Sequence, residues 1–105
     1  MAYLGPVNPP KQPTEKFLVE IDFVNELDVA GGETITGATV TSKNLATGAD
    51  STGTFFDAAA VTAGTKIRRH VSGGAHGERH RVQMHITTNA GNEYEHELDV
   101  PVEEV

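Results

Sequence analysis

The chain has 105 residues, a length that predicts a single domain, and its lack of cysteine excludes disulfide bonds and cysteine-ligated zinc. A formal charge of -7 argues against nonspecific binding to nucleic acids or anionic membranes, because both need basic surfaces. No apolar run approaches the ~20 residues of a membrane span, and the N-terminus lacks the core of a signal peptide, so we expect synthesis in a cytoplasm. The 11 glycines, many threonines and absence of long helical periodicity favour an all-β fold.

Residues 1–14 contain four of the five prolines. Because proline fixes φ and lacks the backbone N–H that a sheet needs, we expect an extended, polyproline-like arm outside the sheet, followed by a domain over residues 15–105. A mobile terminus is one interpretation of this arm, and an arm docked on a neighbouring subunit is the other. In the second case the candidate contact residues are Tyr3, Leu4, Pro6, Val7, Pro9 and Pro10.

Alternation of apolar and polar residues predicts the strands that follow the arm. Lys16–Val24 is the first strand, and its odd-numbered residues form the apolar face. Glu33–Ser42 is a threonine-rich strand in which Gly37 marks a bulge or a close approach. After an exposed loop, three shorter strands are predicted at Gly53–Phe56, Ala58–Val61 and Thr65–Val71. The last of these is basic, so it could pair electrostatically with the acidic last strand of the chain or with a partner.

A β-hairpin about the turn Asn89–Asn92 is the best-defined element. Apolar and polar residues alternate on both sides of this turn, and Gly91 lies within it. A shift of one residue would turn every side chain to the other face, so the register is well specified. It pairs Val82 with Leu98, Met84 with His96, Ile86 with Tyr94, Arg81 with Asp99, and His85 with Glu95.

Pro101 follows directly on the last predicted strand. Because proline cannot donate to a sheet ladder, we expect this strand to lie at an edge or to leave the sheet there. An exposed edge could accept a strand from a partner. Six or seven short strands separated by turns predict a β-sandwich of the immunoglobulin-like type.

The segment Ser72–Gly77 is rich in glycine, but neither a lysine nor a helix follows it as in a phosphate-binding loop. We interpret Gly73, Gly74 and Gly77 as residues that allow positive φ in a corner between strands. His80 stands where sandwich domains often have a tyrosine, so its ring could bond to the backbone of the corner.

Five histidines raise the question of a metal site. His85 and His96 point to opposite faces of the hairpin, so they cannot share an ion. His70, His76 and His80 could meet at the corner, but their spacing is not that of a ligand pair. We therefore predict no metal site within one chain, and a ring of histidines around a symmetry axis stays open as an alternative.

An acidic row lies on one solvated face of the last strand and consists of Glu93, Glu95, Glu97 and Asp99. Charged rows of this kind keep strands from aggregating through their edges. The row implies neither a concave pocket nor a positioned nucleophile. We therefore predict no enzymatic activity and no cofactor.

Several segments together resemble small virion proteins of tailed bacteriophages. They are Lys16–Val24, Gly32–Val40, Val71–Gly77, Val82 and Ile86–Asn92. These segments are similar to the immunoglobulin-like fibre-tail adaptor family, whose pattern includes a Ser-Gly-Gly-x-x-Gly corner and a Thr-Thr-x-x-Gly hairpin turn. The resemblance covers roughly residues 11–102. It departs from the family at His80, where tyrosine is usual, and at Phe23 and Val24, where the usual tryptophan is absent.

The resemblance implies a non-enzymatic component of the virion, made in the host cytoplasm, that attaches fibres to the tail, neck or collar. Its partners would be other virion proteins, and it would act in several symmetric copies. A capsid decoration protein is the main alternative. A carbohydrate- or ligand-binding module is a third interpretation, which the absence of tryptophan and the presence of only two tyrosines disfavour.

Overall fold

The computed structural model describes residues 2–104, without the side chain of Ala2, and it shows two packed β-sheets. The elements in chain order are β1 (Ala2–Pro6), β2 (Phe17–Asp22), β3 (Ile35–Asn44), α1 (Thr52–Phe55), β4 (Val61–Ala63), β5 (Lys66–Val71), β6 (Arg79–Thr88) and β7 (Glu93–Pro101). One sheet has the order β1-β7-β6-β3, and the other has the order β2-β5-β4. The predicted all-β sandwich is confirmed. Within residues 2–104, no helix is long and apolar enough to cross a membrane.

Alternating side chains of both sheets form the core between them. The odd-numbered residues of β2 point inward as predicted, and Phe23, just beyond the strand, is fully buried. The even-numbered residues of β6 meet them from the opposite sheet. The buried apolar side chains are Val19, Ile21, Phe23, Leu27, Val40, Phe55, Phe56, Ile67, Val71, Val82, Met84, Ile86, Leu98, Val100 and Val102.

The hairpin of β6 and β7 has the predicted register, and all five predicted cross-strand pairs are observed. The side chain of His85 departs from its backbone pairing, because Nε2 lies 2.9 Å from Oε1 of Glu93 and not beside Glu95. The irregularity predicted at Gly37 is also observed, since the β3–β6 register shifts between Ile35 and Gly37. A Cβ at Gly37 would lie 2.8 Å from Oγ1 of Thr87, so the two strands approach closely there.

Two predictions for the middle of the chain are wrong. Gly53–Phe56 is not a strand, because Phe55 and Phe56 are both buried and a strand would turn them to opposite faces. The strand predicted at Ala58–Val61 is displaced, because β4 runs from Val61 to Ala63, whereas the strand predicted at Thr65–Val71 is observed as β5. The basic strand β5 does not pair with the acidic strand β7. It lies in the other sheet beside β2, where Arg68 is opposite Glu20.

The N-terminal segment enters the sheet, contrary to the prediction that it lies outside. β1 pairs in parallel with β7, with Tyr3 beside Glu97 and Pro6 beside Asp99. Pro6 ends the strand, so the prolines that follow do not interrupt it. Consequently β7 lies between β1 and β6 and is not an edge strand, and of the two alternatives that Pro101 left open the one observed is that the strand ends there. The chain itself fills the edge where we expected a partner strand.

Candidate partner-binding surface

Backbone hydrogen bonds hold the N-terminal segment to β7 beyond the end of β1. The N–H of Val7 donates to the carbonyl of Asp99 over 2.9 Å, and the N–H of Lys11 donates to the carbonyl of Pro101 over 2.9 Å. The segment therefore follows the last strand for most of its length. It covers a row of backbone groups that would otherwise be free to pair with another chain.

Lys11 anchors the far end of this segment and is fully buried. Its ammonium group donates to the carbonyl oxygens of Gln12 over 2.9 Å and of Pro13 over 3.3 Å. Burial lowers the pKa of Lys11, and the nearby negative charge of Glu15 partly opposes that shift. These contacts fix the conformation of the turn that leads from the segment into β2.

Tyr3 fastens the near end of the segment to a charged cluster on the outer face of the larger sheet. Its hydroxyl donates to Oδ2 of Asp99 over 3.0 Å and accepts from Nη2 of Arg79 over 3.2 Å. Nε of Arg79 donates to Oδ2 of Asp99, and Nε of Arg81 donates to Oδ1, each over 2.8 Å. The guanidinium of Arg81 also lies 5.0 Å from the centroid of the Tyr3 ring. One carboxylate thus joins β1, β6 and β7.

The charge state of Asp99 follows from these contacts. Burial alone would raise its pKa, but the hydrogen bonds from Arg81, Arg79 and Tyr3 outweigh burial and hold the pKa below its ordinary value. Asp99 is therefore ionised at neutral pH. The cluster acts as a clamp in which two cations and a phenol share one anion.

The six predicted contact residues of the segment lie at different depths. Tyr3 and Leu4 are 47% and 54% exposed, and Pro6 and Pro9 are exposed as well. Val7 and Pro10 are half-buried, and Val7 packs against the core. Because consecutive residues of a strand point to opposite faces, Tyr3 exposes an aromatic ring on one side of β1 and Leu4 exposes an apolar side chain on the other.

The predicted corner residues lie where the chain passes from β5 to β6. Gly73 does not have the positive φ that we predicted for it, but a Cβ there would lie 2.5 Å from the carbonyl oxygen of Thr54, so the close approach requires glycine. Gly74 has a φ of +105° and packs against Val102. Gly77 and Gly91 also have positive φ, and Gly91 lies in the hairpin turn.

His80 lies under this corner in a buried polar network. Its Nδ1 lies 2.9 Å from Oγ of Ser51, and its Nε2 lies 3.0 Å from Oε1 of Glu78. The ring stacks on Phe55 with centroids 4.1 Å apart. Oγ of Ser51 is also 2.7 Å from Oγ of Ser42. This set of serine, histidine and carboxylate has the composition of a hydrolase triad, but the serine is buried and bonded on both sides, so its geometry is that of a tie between loops.

The bond that we predicted from His80 to the backbone of the corner is not observed, because both ring nitrogens contact side chains and the ring reaches the corner only through Glu78. Oε1 of Glu78 accepts from the backbone N–H of Ala75 over 2.8 Å, and Oε2 accepts from the amide of Asn44 over 3.1 Å. The bond to His80 and the bond from Ala75 lower the pKa of Glu78. Sequence reasoning identified His80 but missed Ser51 and Glu78. The closeness of Glu78 to His80 in the chain was the one available signal.

The other histidines each contact a different partner, and the structure does not bring them together. His70 and His85 bind Asp57 and Glu93 over 2.8 Å and 2.9 Å, respectively. The remaining contacts join His76 Nδ1 to the N–H of Glu104 over 2.8 Å and His96 Nε2 to Glu26 over 3.0 Å. Among residues 2–104, no group of three or more His, Asp or Glu side chains is arranged to hold a metal ion.

The sequence of this chain can be compared with those of known proteins and protein families. No curated protein matches the chain. A family model described as the podophage GP4 fiber-tail adaptor protein gp77 matches residues 11–101. The match includes β2 to β7, the glycine corner and the hairpin turn, and it begins after β1. The resemblance seen in the sequence is confirmed, and the chain belongs to the podophage fiber-tail adaptor family.

Proposed function

We propose that this protein is a non-enzymatic component of the virion that attaches a fibre to the tail and acts in several copies. Membership of the fiber-tail adaptor family supports the attachment role. The structural observation that carries the proposal is the pair of exposed side chains on the docked N-terminal segment, Tyr3 at 47% and Leu4 at 54%. Aromatic side chains are enriched at protein–protein contacts, and Leu4 adds an exposed apolar side chain on the opposite face of the same strand.

The segment is suited to binding for two physical reasons. It is already held in an extended conformation by β7 and by Asp99, so little conformational entropy is lost when a partner covers it. Tyrosine is also enriched at interfaces because its ring buries a large area with few rotatable bonds. We infer that Tyr3, Leu4, Pro6 and Pro9 contact another virion protein, and that Val7 and Pro10 support them from beneath.

A substitution at the most exposed of these residues tests the proposal. Phage that carry Leu4→Asp should assemble particles with fewer copies of this protein or with fewer fibres, because a buried aspartate at the contact would lose its hydration. Protein and fibre copies per particle are counted by quantitative mass spectrometry. The unfolding midpoint of the purified variant should equal that of the wild type, since the side chain is solvated in the free protein.

Val29→Asp is the matched control, because Val29 is 52% exposed and belongs to the loop between β2 and β3. It should leave fibre content and infectivity unchanged. Wild-type fibre content in the Leu4→Asp particles would overturn the proposed contact. The same count separates attachment at the tail, which needs few copies at one vertex, from decoration of the capsid, which needs many.

A further inference from the structure

The two sheets end in four strand edges, and three of them are protected. β1 has five residues and ends at Pro6, and β4 has only three residues. On β3, the carbonyl of Val40 accepts from Nη1 of Arg69 over 2.6 Å, and the carbonyl of Ser42 accepts from the N–H of Ser51 over 2.9 Å. β2 has six residues and contains no proline. It is the edge that stands open.

The free backbone groups of this edge belong to the even-numbered residues. The N–H of Phe23 donates to the carbonyl of Thr65 over 2.8 Å, and this bond continues the β2–β5 ladder. In an antiparallel pair, residues that bond to the neighbour alternate with residues that face away. Leu18, Glu20 and Asp22 therefore direct their N–H and C=O groups outward. Within residues 2–104, no backbone hydrogen bond from another segment reaches them.

An apolar groove runs beside this edge, between β2 and the N-terminal segment. Its volume is about 350 Å³, and its apolar lining includes Val7, Phe17, Val19 and Leu98. Leu18 stands at the rim and is 56% exposed. An edge with unpaired backbone groups beside an apolar groove is a site for strand addition.

The charges along the edge indicate which strand would add to it. The outward side chains read, in order, Lys16, Leu18, Glu20 and Asp22, with a cation at one end and an anion at the other. A second copy running antiparallel brings the cation of each chain to the anion of the other. We propose that β2 pairs with β2 of a second copy, with Lys16 opposite Asp22 and Leu18 opposite Glu20 across a two-fold axis.

This register uses the charges that the single chain leaves available. Glu20 already lies 3.5 Å from Nζ of Lys66 and 3.1 Å from Nε of Arg68. Among residues 2–104, no cation lies within 4 Å of the Asp22 carboxylate, and Lys16 has only a contact of 4.0 Å to Asp57. In the dimer, Lys16 of each copy lies opposite Asp22 of the other copy, so that two such ion pairs form.

The same register accounts for the apolar surface. The Leu18 side chains of the two copies become diagonal neighbours, a distance that long side chains can bridge. The two grooves face each other across the axis, so that apolar lining is removed from water. A register displaced by two residues in one direction would set Glu20 against Glu20 and Leu18 against Asp22, which is unfavourable. The opposite displacement would pair Leu18 with Leu18 and Lys16 with Glu20, but it would set Asp22 against Thr14 and leave that carboxylate without a cation.

The proposal does not depend on the role in the virion, because the purified protein is sufficient to test it. Sedimentation should show a dimer of the 11.2 kDa chain. Lys16→Asp and Asp22→Lys should each raise the dimer dissociation constant by at least about tenfold, since each places like charges opposite each other twice. The double variant Lys16→Asp/Asp22→Lys exchanges the charges and should restore dimerisation.

Lys43→Asp is the matched control, because Lys43 is exposed on β3 and its reversal should leave the dimer unchanged. Circular dichroism and unfolding midpoints establish that each variant is folded. A wild type that stays monomeric at its highest soluble concentration would overturn the proposal and leave the β2 edge for a strand of another virion protein. A dimer that is insensitive to the single reversals, or that the double variant fails to restore, would overturn it as well.

Discussion

Two carboxylates, Asp99 and Glu78, hold different parts of the chain against the β6–β7 hairpin, and their partners differ in exposure. Asp99 holds the N-terminal segment, and its donors Arg79 and Arg81 have side chains that are 46% and 35% exposed. Glu78 holds the corner through His80, whose side chain is only 5% exposed. The first cluster lies on the outer face of a sheet, whereas the second is continuous with the core.

Because their partners differ in exposure, the attachment of the N-terminal segment through Asp99 should open more easily than the attachment of the corner through His80. If the contacts of Asp99 are lost, its arginines return to water, and the backbone bonds of β1, Val7 and Lys11 are left to hold the N-terminal segment, so this segment should open locally before the sandwich unfolds. If the contacts of His80 are lost, a buried ring and a buried serine lose their partners inside the protein. The segment is therefore the part of the molecule that is free to exchange contacts with a neighbour.

His80→Ala should have the largest effect on stability. The change leaves a cavity against Phe55 and removes a hydrogen-bond partner from Ser51 and Glu78, so the free energy of unfolding should fall by about 3–4 kcal/mol. Urea unfolding followed by circular dichroism measures this value. His85→Ala is the control and should cost less than about 0.5 kcal/mol, because exposed histidine pairs contribute little. Equal losses for both variants would remove the distinction between core and surface networks.

Asp99→Asn should have a smaller effect on the whole domain and a larger one on the segment. We expect a loss of about 2 kcal/mol, below the roughly 3–5 kcal/mol of a fully buried pair, because the arginines can be solvated. Hydrogen exchange at the amide of Val7 should accelerate more than exchange within β6. Glu95→Gln on the same strand is the control. Uniform acceleration across the domain would show that the segment and the core open together.

The contribution of Asp99 should depend on pH in one direction. Its pKa in the folded protein lies below the unfolded value of about 3.9, so its stabilisation is complete above that value and is lost as the pH falls through the folded pKa. The difference in unfolding free energy between wild type and Asp99→Asn should therefore be constant near neutral pH and shrink below about pH 4. A difference that grows in acid would contradict the clamp.

Tyr3→Phe should have the smallest effect. It removes one hydroxyl and keeps the ring near Arg81, so the local stability of the segment should fall by about 0.5–1 kcal/mol and global unfolding should not change. The rate of hydrogen exchange at the amide of Val7 measures the local stability of the segment. No change at Val7 would mean that the ring, and not the hydroxyl, holds β1 to the sheet.

The hairpin could be predicted in detail because its register depends on local information. Val82, Met84 and Ile86 lie opposite residues only a short turn away, and a shift of one residue would reverse both faces. The same register placed Arg81 opposite Asp99 and so identified half of the clamp.

The docking of the N-terminal segment could not be predicted because its partner strand lies at the other end of the chain. Tyr3 pairs beside Glu97, and no local pattern marks such a parallel contact. Proline content indicated the wrong environment, since Pro6 sits at the end of β1 and Pro9 beyond it. Proline limits where a strand can continue, but it does not prevent the residues before it from pairing.

The corner network was predicted only in part for a related reason. The glycines and His80 lie close together in the sequence, so a corner with a buried ring was a local inference. Ser51 comes from the turn before α1, and its position beside His80 depends on its bonds to Ser42 of β3 and on the pairing of β3 with β6. Partners that tertiary packing selects leave no periodic signal in the chain.

A reconstruction of the phage tail at side-chain resolution would show which surface of this protein contacts its neighbours. Tyr3 and Leu4 should be buried against a different virion protein while Asp99 still bonds to Arg79 and Arg81. A tail in which residues 2–10 face solvent and the contacts are made by another surface would contradict it.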